Sequence, residues 1–134
     1  MPKTVLLLRH AKSSRENPET ADFDRPVTRR GRRDAPRMGK WMHEAGLKPD
    51  LVLCSDARRA RETWTGLAET LGSAAPVLFE RGLYMVSAKA LRNRLRRKFP
   101  TAALARLDFN LDDWRKLEPG SGRLALFVTP ADLD

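Results

Sequence analysis

The chain has 134 residues and a formal net charge of +9, with 41% hydrophobic residues, two histidines and one cysteine. This length suits one domain, residues 1–134. The sequence has no long apolar stretch, and its first apolar run is too short for a secretory signal, so we expect no membrane association. The single cysteine excludes an internal disulfide and fits a reducing cytoplasm, where we expect this protein. Two distant histidines and one cysteine do not make a convincing structural zinc site, and we expect no metal and no other cofactor.

The first predicted element is a buried strand at Val5–Leu8, where four aliphatic residues run directly into Arg9 and His10. A short apolar run without polar breaks is typical of a strand covered on both faces, as in the middle of a parallel sheet. Ligands of open α/β sheets bind outside the carboxyl ends of the strands. Arg9 and His10 therefore lie where a site is expected, although these two residues alone fit a plain strand exit equally well.

A polar loop over residues 12–25 follows this strand and is expected to lie over the site. Thr28 is predicted to cap the next helix, which Pro36 is expected to interrupt or restart and which Gly46 ends. We interpret the many basic residues of this helix mainly as a solvated face.

A second buried strand at residues 51–54 leads into a helix with Arg58, Arg59 and Arg61 in its first turn. Cations are disfavoured there by the helix dipole. An anion, in contrast, gains from both the free N–H groups and a guanidinium. We therefore expect one of these arginines to hold an anion.

The rest of the chain continues this alternation of strands and helices. Strands are predicted at residues 76–79, 102–109 and 123–128, and a helix at residues 87–98. The alternation predicts an α/β fold with a mostly parallel central sheet flanked by helices.

Three motifs occur in a fixed order: LRHA at 8–11, DRPVT at 24–28 with Gly31, and CSDARRARET at 54–63. Together with residues 99–104 and 122–130, they resemble the histidine phosphatase (phosphoglycerate-mutase-like) superfamily, most closely its bacterial phosphohistidine phosphatases of the SixA type. The resemblance implies a three-layer, phosphoglycerate-mutase-like fold. It also implies a phosphatase that hydrolyses phosphohistidine or phosphomonoesters, with a phosphorylated protein or a small phosphoester as its partner. We expect the protein to be a monomer.

By position in these motifs, His10 matches the family's nucleophile, which is transiently phosphorylated, and Arg9 and Arg59 match the arginines of its phosphate pocket. The chemistry is consistent with these roles. A neutral imidazole is a good nucleophile near pH 7, and two guanidiniums can neutralise the equatorial phosphoryl oxygens without a metal.

Further site residues are expected around this centre. Lys12, Ser13 and Arg25 are expected to orient the substrate from the covering loop. Glu80, just after the third strand, lies about where some superfamily members keep an acidic proton donor, and it fits equally well as a solvated carboxylate paired with Arg81.

The chain departs from the family in one segment. The family carries a second pocket histidine in a Gly-His-Asn-type segment after another core strand, whereas no histidine stands between Tyr84 and Phe99. We therefore expect a shortened fold that lacks a strand, its helix and one phosphate-binding residue. The other histidine, His43, is assigned to the surface of the first helix.

Two alternatives from other functional classes remain. One is a phosphate-binding pseudophosphatase with impaired turnover, which would keep Arg9, His10 and Arg59. The other is a basic nucleic-acid-binding module, suggested by the net charge of +9. Its basic residues do not interleave with aromatics as a base-stacking platform requires, so nucleic acid is the less favoured partner.

Overall fold

Five strands and two long helices are found in a computed structural model, which describes residues 3–81, 101–116 and 122–133. The strands are β1 (Lys3–Leu8), β2 (Val52–Ser55), β3 (Val77–Glu80), β4 (Leu104–Phe109) and β5 (Arg123–Val128). The helices are α1 (Arg29–Glu44) and α2 (Arg58–Leu71). Neither has the length and apolarity needed to cross a membrane. The helix predicted at residues 87–98 lies outside the described residues.

The described strands form two sheets. Strands β1, β4 and β5 form an antiparallel sheet in that order, and β2 pairs with β3 in parallel. The mostly parallel order expected from the sequence is thus found only between β2 and β3 among the described pairs. An apolar run indicates a strand, but it does not show which neighbour the strand has. It does not show burial either, because Leu53 of β2 and Leu78 of β3 are 58% and 48% exposed, so the prediction that β2 is a buried strand is wrong. Strands β4 and β5 are joined without a described crossover helix, and such strands pair antiparallel.

Helix α1 begins as predicted and continues through its proline. The Thr28 hydroxyl accepts a hydrogen bond from the Gly31 N–H at 3.1 Å and so caps the helix. The prediction that Pro36 interrupts the helix is wrong, because the helix is continuous from Arg29 to Glu44. Pro36 packs on α2, where a Cβ on Gly66 would lie 3.6 Å from its ring. This packing offsets the backbone hydrogen bond that proline removes.

The hydrophobic core lies between the two helices and the three-stranded sheet. Its buried side chains are Met38, Met42, Leu47, Leu67, Leu71, Leu104 and Val128. The helices approach closely, since a Cβ on Gly39 would collide with the carbonyl oxygen of Leu67. A second, smaller cluster of Ala11, Val27 and Ala102 lies beside the end of β1. It fixes the loop that begins there and therefore shapes the site.

Candidate active site

A cavity of about 330 Å³ opens at the carboxyl end of β1. It is lined by Arg9, His10, Lys12, Ser13, Arg15, Asp22, Arg25, Arg59 and Thr101. Six residues proposed from the sequence therefore share one cavity: Arg9, His10, Lys12, Ser13, Arg25 and Arg59. The structure brings these six together, although they come from the end of β1, the loop after it and the start of α2.

The backbone around His10 is held from two sides. On one side, the Ala102 N–H lies 3.1 Å from the carbonyl oxygens of both Arg9 and His10. Ala102 adopts a left-handed conformation with φ of 59°, which costs about 1–2 kcal/mol in an L-residue. On the other side, the Ala11 N–H donates to the Thr63 hydroxyl at 2.9 Å, and that residue lies on α2. The position of the imidazole is thus set by both a loop and a helix.

The imidazole of His10 has a defined tautomer. Its Nδ1 lies 2.8 Å from the carbonyl oxygen of Ala11, and a carbonyl can only accept a hydrogen bond. Nδ1 therefore carries the proton when the ring is neutral, and Nε2 keeps its lone pair.

The electrostatics of the cavity favour the neutral ring. Burial is the largest effect and lowers the pKa of His10 below its ordinary value of 6.5. The positive charges of Arg59, Arg9 and Arg25 lower this pKa further, while the hydrogen bond to the Ala11 carbonyl opposes them. A ring that is neutral near pH 7 can act as a nucleophile.

Only one of the three arginines in the first turn of α2 lines the cavity. Arg58 pairs with Glu62 at 3.4 Å on the outside of the helix, and Arg61 pairs with Asp56. Arg59 is buried and lines the cavity. This arrangement supports the prediction that a single arginine of this turn is placed to hold an anion.

Arg25 is also buried in the wall of the cavity. Its Nη1 donates to the Ser13 hydroxyl at 3.0 Å and to the Ser14 carbonyl at 3.2 Å. The loop that carries Arg25 is fastened to the start of α1, where the Thr28 N–H donates to the Lys12 carbonyl at 2.7 Å. The polar loop therefore covers the site, as predicted.

The structure does not bring Glu80 into the cavity. This residue ends β3 and is exposed, and its carbonyl accepts from the Asp56 N–H at 3.2 Å. Strand β3 pairs with β2 in a sheet that does not contain β1 in the described part of the chain. The assignment of Glu80 as a proton donor is therefore not retained. Arg81, its suggested partner, lies over the ring of Phe23 at 4.5 Å.

Three lining residues were not predicted from the sequence: Arg15, Asp22 and Thr101. For Asp22 a signal was present, because it stands three residues before Arg25 in the same short turn and pairs with it at 3.0 Å. For Thr101 there was none, because its place depends on how distant segments pack. His43 is exposed on α1, as expected, and the segment in which the second pocket histidine is missing lies outside the described residues.

The chain shares significant sequence similarity with two uncharacterized proteins. One, from Mycobacterium tuberculosis, is 44% identical over 77 residues, which cover 58% of this chain and 46% of that protein. The other, a chloroplastic protein of Arabidopsis thaliana, is 41% identical over 61 residues, which cover 46% of this chain and 28% of that protein. The matched part of the chain thus spans less than half the length of either relative.

Comparisons with solved structures and with family models identify the fold and the family. The structure of the protein histidine phosphatase SixA complexed with tungstate aligns with a TM-score of 0.71 and 21% identity, covering 98% of this chain and 100% of that chain. The predicted α/β fold of the SixA type is therefore confirmed. The model of the histidine phosphatase superfamily (branch 1) matches residues 5–120. Because this match covers most of the chain, the protein belongs to the histidine phosphatase superfamily.

Proposed function

We propose that this chain is a phosphatase that hydrolyses phosphohistidine or a phosphomonoester through a phospho-His10 intermediate. One observation carries the proposal: His10 lines the same cavity as Arg9, Arg25 and Arg59. An imidazole with a free Nε2 lone pair supplies the nucleophile, and the guanidiniums supply fixed positive charge. Phosphoryl transfer requires these two elements above all, since its catalysis consists mainly of positioning and charge stabilisation.

The reaction has two steps. In the first, Nε2 of His10 forms a bond to phosphorus as the bond to the leaving group breaks, with Arg9 and Arg59 stabilising charge on the equatorial oxygens. In the second, water attacks phospho-His10 and releases inorganic phosphate, and the imidazole regains its lone pair. When the substrate is a phosphohistidine, the leaving group is an imidazole, which departs more easily than an alkoxide. A general acid that protonates the leaving group is then less necessary.

The relatives support the same chemistry. The chain belongs to a phosphatase superfamily, and a protein with the same fold, a protein histidine phosphatase, has been solved with the oxyanion tungstate. The proposed partner is accordingly a protein that carries phosphohistidine, or a small phosphoester, and the proposed location is the cytoplasm.

The second candidate function is a phosphate-binding pseudophosphatase. It is favoured by the histidine content, because the sequence contains only His10 and His43. His43 is exposed, with its Nδ1 at 3.1 Å from the Leu71 carbonyl oxygen, and it does not line the cavity among the described residues. Loss of one donor from an anion-stabilising site typically lowers turnover by about 10²–10³-fold.

The test compares wild type with His10→Ala and with His43→Ala as the matched control. Hydrolysis of a chromogenic phosphate ester and of a phosphohistidine peptide should be abolished by His10→Ala and unchanged by His43→Ala. A labelled phosphoenzyme that is acid-labile and alkali-stable should form in wild type and in His43→Ala, but not in His10→Ala.

The other outcomes separate the remaining candidates. Binding of phosphate without hydrolysis by wild type would favour the pseudophosphatase. Hydrolysis that persists in His10→Ala would contradict both proposals. Steeply salt-dependent DNA binding that persists in His10→Ala would favour the nucleic-acid module.

A further inference from the structure

The cavity contains a carboxylate among its cations. Of the described residues that line it, Asp22 is the one acidic residue. Its Oδ1 accepts from Arg25 Nε at 3.0 Å, and its Oδ2 accepts from Arg59 Nη2 at 3.2 Å. The Asp22 side chain is 43% exposed, whereas those of Arg25 and Arg59 are each 10% exposed. The carboxylate thus joins two buried guanidiniums and remains open to solvent.

The two arginines have other contacts that fix their position. Nη1 of Arg59 donates to the backbone carbonyl of Asp22 at 2.7 Å. Nη1 of Arg25 donates to the Ser13 hydroxyl and the Ser14 carbonyl. All of these acceptors are neutral, and they remain when the Asp22 carboxylate loses its charge. We therefore expect the two guanidiniums to keep their positions when the Asp22 carboxylate loses its charge.

The carboxylate resembles a bound phosphoryl group in how it meets the arginines. It offers two anionic oxygens, one to each guanidinium, as two equatorial phosphoryl oxygens would. A phosphate that enters the cavity must share or replace these contacts, and it is also repelled by a negative charge at short range.

We propose that Asp22 is a built-in competitor for the phosphoryl group, which weakens the binding of inorganic phosphate and so favours release of the product. This inference rests on the proposed phosphatase function, because it assigns Asp22 a role in the same cavity. A cavity lined by Arg9, Lys12, Arg15, Arg25 and Arg59 would otherwise retain phosphate strongly. The negative charge of Asp22 offsets part of this positive potential at Arg25 and Arg59, the two arginines that it contacts.

The test is calorimetric titration of inorganic phosphate into wild type, Asp22→Asn and Asp24→Asn. Asparagine has nearly the same shape as aspartate without the charge, and we expect Asp22→Asn to bind phosphate about ten-fold more tightly than wild type. Asp24 lies in the same short 3₁₀ turn, Asp22–Asp24, but it is exposed and does not line the cavity. Asp24→Asn removes the same charge two residues away, and we expect its affinity to match wild type.

The direction of the change in phosphate affinity shows whether Asp22 competes with phosphate or only positions the arginines. If Asp22 only positioned the arginines, Asp22→Asn would bind phosphate more weakly than wild type, and that result would overturn the proposal. Equal affinities of Asp22→Asn and Asp24→Asn would overturn it too. Asp22→Ser, which also removes the charge, provides the same comparison if Asp22→Asn does not fold, and a far-ultraviolet circular dichroism spectrum checks each variant.

Ester hydrolysis, measured on the same samples, separates this proposal from the proposed function. If wild type binds phosphate but hydrolyses neither the ester nor the phosphohistidine peptide, the phosphatase proposal fails, while the affinity of Asp22→Asn still decides the role of Asp22. If no variant binds phosphate, the proposed role of Asp22 is overturned, while ester and phosphohistidine hydrolysis by wild type still decides the phosphatase proposal.

Discussion

The hydroxyl of Thr63 connects helix α2 to the residue that follows His10, and its removal gives a sharp test of the fold around the site. Thr63 is 3% exposed; its Oγ1 accepts from the Ala11 N–H at 2.9 Å and donates to the Arg59 carbonyl at 2.7 Å. The substitution Thr63→Val keeps the shape and removes the hydroxyl. The Arg59 carbonyl remains an acceptor in the helix, whereas the Ala11 N–H loses its partner.

A buried N–H without a partner costs about 1–3 kcal/mol. Ala11 is 0% exposed, so water cannot readily replace the lost hydroxyl. We expect the free energy of unfolding of Thr63→Val, measured by urea denaturation, to fall by about 2 kcal/mol with an unchanged m-value. Thr63→Ser keeps the hydroxyl, and its free energy of unfolding should fall by less than that of Thr63→Val.

Thr65→Val is the matched control for this experiment. Thr65 lies on the same helix but is exposed, and the same substitution there should change the free energy of unfolding by less than about 0.5 kcal/mol. If Thr63→Val is as stable as Thr65→Val, or if Thr63→Ser is as destabilised as Thr63→Val, the hydroxyl does not hold the backbone after His10.

Three further changes test the helix contact, the protonation of His10 and the phosphate contact. Gly39→Ala should lower the free energy of unfolding by about 1–3 kcal/mol, because its Cβ would collide with α2. Gly66→Ala, whose Cβ would lie 3.4 Å from that of Ala35, should raise it by up to about 1 kcal/mol. Both values are measured by urea denaturation. The pKa of His10 is lowered in the folded state, so wild type should lose stability as the pH falls through 6.5 towards that lower pKa. His10→Asn should lose less stability over the same range. Melting temperatures measured in a pH series check this difference. Arg59→Lys keeps the charge but loses the planar fork, and it should lower phosphate affinity by about ten-fold or more, whereas the same change at exposed Arg58 should not.

Each of these three expectations has an outcome that would contradict it. Equal effects of Gly39→Ala and Gly66→Ala would mean that the helices do not approach as closely as the structure indicates. If the melting temperatures of wild type and His10→Asn change with pH in parallel, His10 does not titrate below 6.5. Equal phosphate affinities of Arg59→Lys and Arg58→Lys would place the anion elsewhere.

The residues that could be predicted from the sequence are those whose position follows from local structure. His10 and Arg9 lie at the end of an apolar run, and Arg59 lies in the first turn of a helix. In each case the neighbours in the sequence are enough to indicate the edge of the sheet to which the side chain belongs. The family resemblance then assigned their roles.

The locations of Asp22 and Glu80 could not be predicted from the sequence. Asp22 reaches Arg59 across 37 positions of sequence, and this contact exists only because the loop brings its 3₁₀ turn against α2. Glu80 follows a strand, as His10 does, and was therefore expected near the same site. Its strand, however, pairs with β2, and in the described part of the chain it does not pair with β1. The apolar runs could not reveal this difference, because an apolar pattern does not encode the partner of a strand.

Helix α2 explains why the stability of the protein and the chemistry of the cavity are linked. Its buried residues are Arg59, Thr63, Leu67 and Leu71, and a spacing of four places them on one face of the helix. Along this face, the guanidinium lines the cavity, the hydroxyl holds the backbone next to His10, and the two leucines pack in the main core. The packing of the leucines therefore sets the rotation and depth of the helix, and with them the distance between Arg59 and His10. A change in the core of this protein should consequently alter phosphate binding even where it does not touch the cavity.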